Sequence, residues 1–137
     1  MQALVNMSLT TPAIFALVED RVFSNEIPAA VIAKANTKHP PKMLVIRQGG
    51  GGAKADRLPV VNRVIICNCY GETDYDADLV RMAVEQRYTF LEREIFDGVL
   101  IHHINPTGGP LPNVEPDLVW PIVSQSYTTL AGLLEVA

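Results

Sequence analysis

Four consecutive glycines, Gly49 to Gly52, follow the apolar segment Met43-Leu44-Val45-Ile46 and lead into Ala53-Lys54-Ala55-Asp56-Arg57. A glycine-rich run behind a strand suggests a phosphate cradle. Such a cradle needs a helix directly after it, so that the helix N-terminus meets the anion. Here the next segment, Leu58-Pro59-Val60-Val61-Asn62-Arg63-Val64-Ile65-Ile66-Cys67, reads as another strand. No Gly-Lys-Ser/Thr follows, and no GxGxxG spacing fits. The run therefore predicts a flexible strand-to-strand connection from Gln48 to about Pro59, long enough to reach something outside its own domain.

The remaining elements follow from period and punctuation. Thr10 or Thr11 can cap a helix that starts at Pro12 and carries Ile14, Leu17 and Val18. Residues 2 to 9 read as a helical turn or a loose lead-in. Residues 24 to 41 hold Pro28, Pro40 and Pro41 and predict irregular chain with a short helical piece around Ala29 to Ala35. The first strand is Lys42 to Arg47. The second runs from about Val60 to Tyr70, with an apolar centre covered on both faces. Asp74 to Glu92 is the clearest helix. Thr73 and Asp76 form a capping box with Asp in place of Glu, and Asp74, Asp76 and Asp78 suit the positive helix N-terminus. Val80, Ala83, Val84 and Leu91 form its stripe, broadened by Leu79, Met82 and Phe90. Arg81 and Glu85 make an i,i+4 ion pair. The third strand is Gly98 to Ile104, with Val99, Ile101 and His103 on one face and Leu100, His102 and Ile104 on the other. A Pro/Gly-rich loop spans 105 to 117. The fourth strand is about Leu118 to Leu130, where Pro121 suggests an edge position or a bulge. The order helix-strand-strand-helix-strand-strand predicts a single α+β domain over residues 1 to 137. It has a mostly antiparallel four-stranded sheet, with two main helices packed on it.

Composition narrows the chemistry. The chain has 137 residues, nearly half of them apolar, enough for a folded soluble domain with a core. The apolar runs are too short to span a membrane, and the N-terminus lacks the basic region of a signal peptide. The net charge of −4 argues against general nucleic-acid binding. The charge is nonetheless uneven. Residues 1 to 60 carry seven Lys/Arg against four Asp/Glu, and residues 61 to 137 carry four against eleven. Different solvated faces of opposite sign explain this; so do copies that meet through them. Cys67 and Cys69 share one strand face at or beyond comfortable disulfide reach, and two thiols fit a reducing cytosolic compartment.

Catalytic readings are weak throughout. His102 and His103 point to opposite faces and cannot easily share an ion, although one of them with Cys67 and Cys69 could make a three-ligand site. The acidic helix start needs no metal to explain it. Cys67 lies mid-strand in an apolar run, a poor setting for a nucleophile. There is no recognisable Ser-His-Asp arrangement. Two long loops without a convergent catalytic group favour an assembly protein over an enzyme. The candidate contact residues are Arg47, Gly49, Gly50, Gly51, Gly52, Lys54 and Arg57 in and around the first loop. Pro106, Gly108 and Gly109 belong to the second. Trp120 is read chiefly as a core or sheet-face anchor, with a subunit interface as the other use.

Several segments in order carry a resemblance. Pro41-Lys42-Met43-Leu44-Val45-Ile46-Arg47 precedes the glycines, Leu58-Pro59-Val60 leads to a strand ending Cys69-Tyr70-Gly71, the Asp/Ala-rich helix start follows, and Asp117-Leu118-Val119-Trp120-Pro121 closes the set. From about Ile14 to Gly132 the chain resembles the tail terminator (tail completion, or head–tail joining) proteins of long-tailed bacteriophages. That resemblance implies a small virion subunit forming a six-membered ring, which caps the tail tube and offers its other face to the head-side connector or stopper protein. It implies assembly in the host cytoplasm and residence at the tail–neck joint. DNA would pass through the lumen without specific binding, with no membrane contact, no cofactor, no metal and no catalytic residue. The alternatives are another neck component, such as a head-closure, stopper or minor tail protein, or a small ligand-binding α+β domain using Gly49–Gly52.

Overall fold

The computed structural model describes residues 2–29, 32, 41–54, 60–96, 98–114 and 120–133; positions 2, 3, 49–54, 60–62 and 131–133 are described by backbone alone. Among the described residues, three helices, α1 (Gln2–Thr10), α2 (Pro12–Val18) and α3 (Asp74–Thr89), pack against a sheet of seven strands. The strands are β1 (Val22–Ser24), β2 (Met43–Lys54), β3 (Val60–Tyr70), β4 (Glu94–Phe96), β5 (Val99–Pro106), β6 (Leu111–Val114) and β7 (Pro121–Leu133). Their order is β1-β2-β3-β7-β5-β4, with β6 also paired to β7. Among the described strands only β1 and β2 run parallel. The α+β class and the antiparallel sheet agree with the sequence reading, but four strands were too few. The three additions, β1, β4 and β6, hold three, three and four residues, too short for a period to show.

β3 is the spine. It pairs with β7 from Val60–Gly132 to Tyr70–Ile122, and with β2 from Lys54–Val61 to Met43–Tyr70. Its alternate residues Ile65, Cys67 and Cys69 face the helices, where they join Leu44, Ile46, Ile101, Ile104 and Tyr127 of the sheet. Ile14 and Val18 of α2, Val80, Val84 and Tyr88 of α3, and Leu4 and Met7 of α1 close this layer. On the opposite face Met43, Val45, Tyr70, Trp120 and Ile122 form a second buried cluster with Phe23 and Ile27. The Tyr70 and Trp120 rings meet edge-on at 6.4 Å. Both faces are thus covered at the Tyr70 end of β3; in its apolar centre, where cover on both faces was expected, Ile65 and Cys67 are buried while Val64 and Ile66 are half-buried.

Helix α3 begins as expected. The Thr73 hydroxyl accepts the Asp76 amide at 3.2 Å, and Asp74 and Asp76 occupy the first turn. Arg81 bridges Asp78 and Glu85, and its side chain is mostly buried. Gly71 lets the chain turn tightly into this helix: a Cβ there would stand 2.6 Å from the Ala77 amide nitrogen. The helix stops at Thr89, short of the Glu92 end expected. Its buried stripe is Ala77, Val80, Val84 and Tyr88, while Met82 and Phe90, assigned to the stripe from sequence, are exposed. Glu94, just past the expected helix end, lies in β4 and pairs with Arg87 at 2.7 Å.

Three further expectations are corrected. The glycines do not form a loop: Gly49–Gly52 lie inside β2, which continues to Lys54 with register shifts on either side of Gly51. Pairing to β3 overrides the low strand propensity of glycine. The strict alternation expected along β5 fails because Ile101 stands opposite Ala131 and His103 opposite Leu130, leaving His102 as an extra residue. That bulge returns Ile104 to the buried face that Ile101 occupies. β7 is interior, flanked by β3 on one side and by β5 and β6 on the other, so Pro121 does not mark an edge. It is the first strand residue, where a missing N–H is tolerated. The helical piece expected at Ala29 to Ala35 falls mostly outside the described residues.

Candidate assembly surfaces

β1 covers β2 only from Leu44 to Ile46. From Arg47 to Lys54 β2 pairs on one side, with β3, and among the described residues nothing pairs with its other side. Gly49–Gly52 therefore form a strip of sheet edge without side chains. Arg47 is exposed at the start of this strip, and its Nε donates to the Asn25 carbonyl at 2.7 Å. Lys54 ends the strand opposite Val61. Arg57 lies outside the described residues. Lys42, Arg47, Lys54 and Arg63 lie on or beside β2 and β3, and no carboxylate falls within residues 41–54 or 60–71.

The second set of candidates lies across the sheet from Arg47. Arg47 stands opposite Ile66, and Ile66 opposite Ser126; the Ser126 carbonyl accepts the Thr107 amide at 3.0 Å. Pro106 ends β5 opposite Tyr127, and Gly108 and Gly109 are exposed in the turn that follows. The buried Gln125 amide donates to the Gly108 carbonyl at 2.7 Å, which fixes this turn on β7. Arg47 and the 106–109 turn thus share one lateral row, whereas Gly49–Lys54 run on to the far end of the sheet. Trp120 is fully buried in the outer cluster and offers nothing to a partner; its interface reading is corrected to the core one.

The sequence reading missed the outer ridge of α3. Tyr75 is 72% exposed and Met82 51%, with the half-buried Leu79 between them. The spacing 75, 79, 82 is i, i+4, i+7, a stripe in its own right. It lies opposite Ala77, Val80, Val84 and Tyr88 on the helix wheel. Two offset stripes on one helix are the signal that could have found it, since only one can face the sheet. Residues 74 to 85 also carry Asp74, Asp76, Asp78 and Glu85 against the single Arg81. An apolar centre with Tyr and Met inside a charged rim is the usual anatomy of a contact surface. Leu111 and Val114 of β6 are exposed as well.

Two thiols and two phenols are buried in the layer between the helices and the sheet. Cys67 and Cys69 are buried free thiols. Burial pushes Cys67 up to about 12, against a weaker opposing contact with the Tyr88 hydroxyl at 3.9 Å. Burial likewise raises Cys69, with the neighbouring Cys67 adding to it. Tyr88 and Tyr127 are raised chiefly by burial too, and their rings meet edge-on at 5.0 Å. A thiol held neutral in this way is a packing residue. Among the described residues no three His, Cys, Asp or Glu side chains gather to hold a metal ion, and no helix is long and apolar enough to cross a membrane. His103 instead meets the Asn105 side chain at 3.2 Å.

No protein-family model matches this chain, and no curated protein does. Among solved structures it is similar to a chain of the virion of a native gene transfer agent particle. The likeness covers 96% of this chain and 92% of that one, with a TM-score of 0.67 and 9% identity. At that identity the shared property is the fold, and it extends over nearly the whole of both chains.

Proposed function

We propose that this chain is a structural subunit of a phage-like virion. In the finer reading it is a tail-terminator-type protein whose copies form a ring, of six by the family resemblance, that caps the tail tube and meets the head-side connector or stopper. The observation that carries the proposal is the end-to-end fold likeness to a gene transfer agent virion chain. Two features of the subunit support it. The basic edge of β2, unpaired among the described residues, and the acidic-rimmed ridge of α3 are different surfaces of one chain. Different patches that meet between copies give head-to-tail contacts, which close into rings when the rotation permits. The thiols and phenols best placed for chemistry are sealed in the core, which supports a structural role. In this reading DNA passes through the lumen without specific contacts, and the protein resides at the tail–neck joint after assembly in the host cytoplasm.

Sedimentation and negative-stain imaging of the purified protein, with and without tail tubes, test the proposal. Rings, or discs seated on tube ends, are expected. A monomer that leaves tube ends bare and binds a nucleotide would favour the ligand-binding alternative and overturn this reading. Rings that bind the connector but leave tubes uncapped would move the chain to another neck position.

A further inference from the structure

The ridge and the glycine strip belong to opposite ends of β3. α3 starts four residues after the Tyr70 end, and Gly71 packs against its first turns. The strip lies towards the Val60 end, where Gly51 stands opposite Arg63 and Lys54 opposite Val61. β3 is about 34 Å long at the usual strand rise. The ridge also points away from its own sheet, because the opposite stripe of α3 is the one buried there. Within one chain the two surfaces therefore have no route to each other.

Their shapes and charges nevertheless match. Four glycines give a side-chain-free edge about 13 Å long. Tyr75 to Met82 spans about 10 Å of helix. Large knobs seat closely on a strip that has no side chains of its own, since glycine lets another surface approach the backbone. Arg47 and Lys54 bracket the strip with positive charge, and the rim of the ridge carries four carboxylates against one arginine. Like-with-like pairing, strip to strip or ridge to ridge, would set equal charges against each other.

We infer that the Gly49–Gly52 strip of one copy seats the Tyr75–Leu79–Met82 ridge of the next copy. The inference rests on the ring reading and names the two faces of its contact. Arg47 and Lys54 lie over the acidic rim, which sets the register, while Tyr75 and Met82 supply the apolar area. Because strip and ridge are distinct patches, each copy uses both, one for each neighbour.

Cross-linking tests this directly. Gln48→Cys, at an exposed position beside the strip, is combined with Met82→Cys in one chain and treated with a short bismaleimide. The native Cys67 and Cys69 are buried and stay out of the reaction. The double variant should give a covalent ladder up to the ring size, and each single variant should give none. Separately, Tyr75→Glu with Met82→Glu should lose the assembled species while keeping the wild-type unfolding midpoint, since both positions are exposed. A wild-type ring with no ladder, or a Tyr75→Glu/Met82→Glu protein that still forms rings, would overturn this contact and leave the ring reading standing. Variant rings that fail only at capping tubes would reassign the ridge to the tube, again against this inference. A wild-type protein that stays monomeric even on tail tubes would overturn the ring reading itself.

Discussion

Helix α3 carries apolar side chains on two faces, and their surroundings differ completely. Ala77, Val80, Val84 and Tyr88 are sealed against β3, β5 and β7 by a layer that also holds Cys67, Cys69 and Tyr127. Tyr75 and Met82, on the other face, meet solvent in the isolated chain. Residue type does not separate the faces, since each has a tyrosine and an aliphatic partner. What separates them is whether the chain itself supplies a cover. The inner face accounts for folding. The outer face is left uncovered by the described residues, and it is the face that the proposed contact between copies would use.

The contrast breaks most easily with one large side chain from each face. Tyr88→Ala removes a buried ring that packs edge-on against Tyr127 and should cost about 3–5 kcal/mol, comparable to other buried aromatic truncations. Met82→Ala should cost less than about 0.5 kcal/mol, as exposed substitutions do. Chemical denaturation of both variants, read by tyrosine and tryptophan fluorescence, checks the pair. Equal losses would mean that the outer ridge is part of the folding unit.

Alkaline pH should attack the inner face alone. Cys67 holds its proton up to about 12 when folded, against about 9 for an unburied thiol. Above pH 9 the unfolded chain therefore binds fewer protons than the folded one, and stability falls as pH rises towards 12. At pH 10.5 Cys67 alone should remove about 2 kcal/mol, taking 1.36 kcal/mol per pH unit. The raised Cys69, Tyr88 and Tyr127 groups act in the same direction. Thermal unfolding midpoints from pH 7 to 11 should drop steeply past pH 9, and Cys67→Ala should flatten the slope. A flat profile in the wild type would show that the layer under α3 admits water.

How far these faces could be read from sequence depended on which interactions define them. β3 and α3 were legible because period, cap and charge agree locally: the apolar run to Tyr70, Thr73 with Asp76, and Arg81 with Glu85 all stand as expected. β1 and β4 were missed because three residues carry no period; β1 is also held by a strand some twenty residues on, Leu44 to Ile46. The bulge at His102 is a backbone event that reverses the faces of β5, and no residue type announces it. Glycine has little preference for strands, so Gly49–Gly52 read as a loop until β3 was known to lie alongside. The contact candidates were legible in part. Arg47 and the glycines drew attention by composition, while Leu79 and Met82 were credited to the buried stripe and Tyr75 to none. Trp120 shows the converse, a residue whose size invites an interface reading and whose place is the core.

A smaller effect than either of the losses on the inner face bears on how the outer face is held. Tyr75 lies in the first turn of α3, and that turn is fixed by the Thr73 hydroxyl accepting the Asp76 amide. Thr73→Ala should cost about 1 kcal/mol, while Thr73→Ser should preserve most of the cap. The loss is small because Ala77 and Val80 still anchor the rest of the helix from below. The outer face has no such anchor at Tyr75, whose position depends on the helical turn itself. Fraying should therefore show as faster hydrogen exchange at the Asp76 amide, with protection kept at Val84, and as weaker assembly in Thr73→Ala than its stability loss alone would give. If exchange rises equally at Asp76 and Val84, the two faces unfold as one unit, and the separation between them is thermodynamically empty.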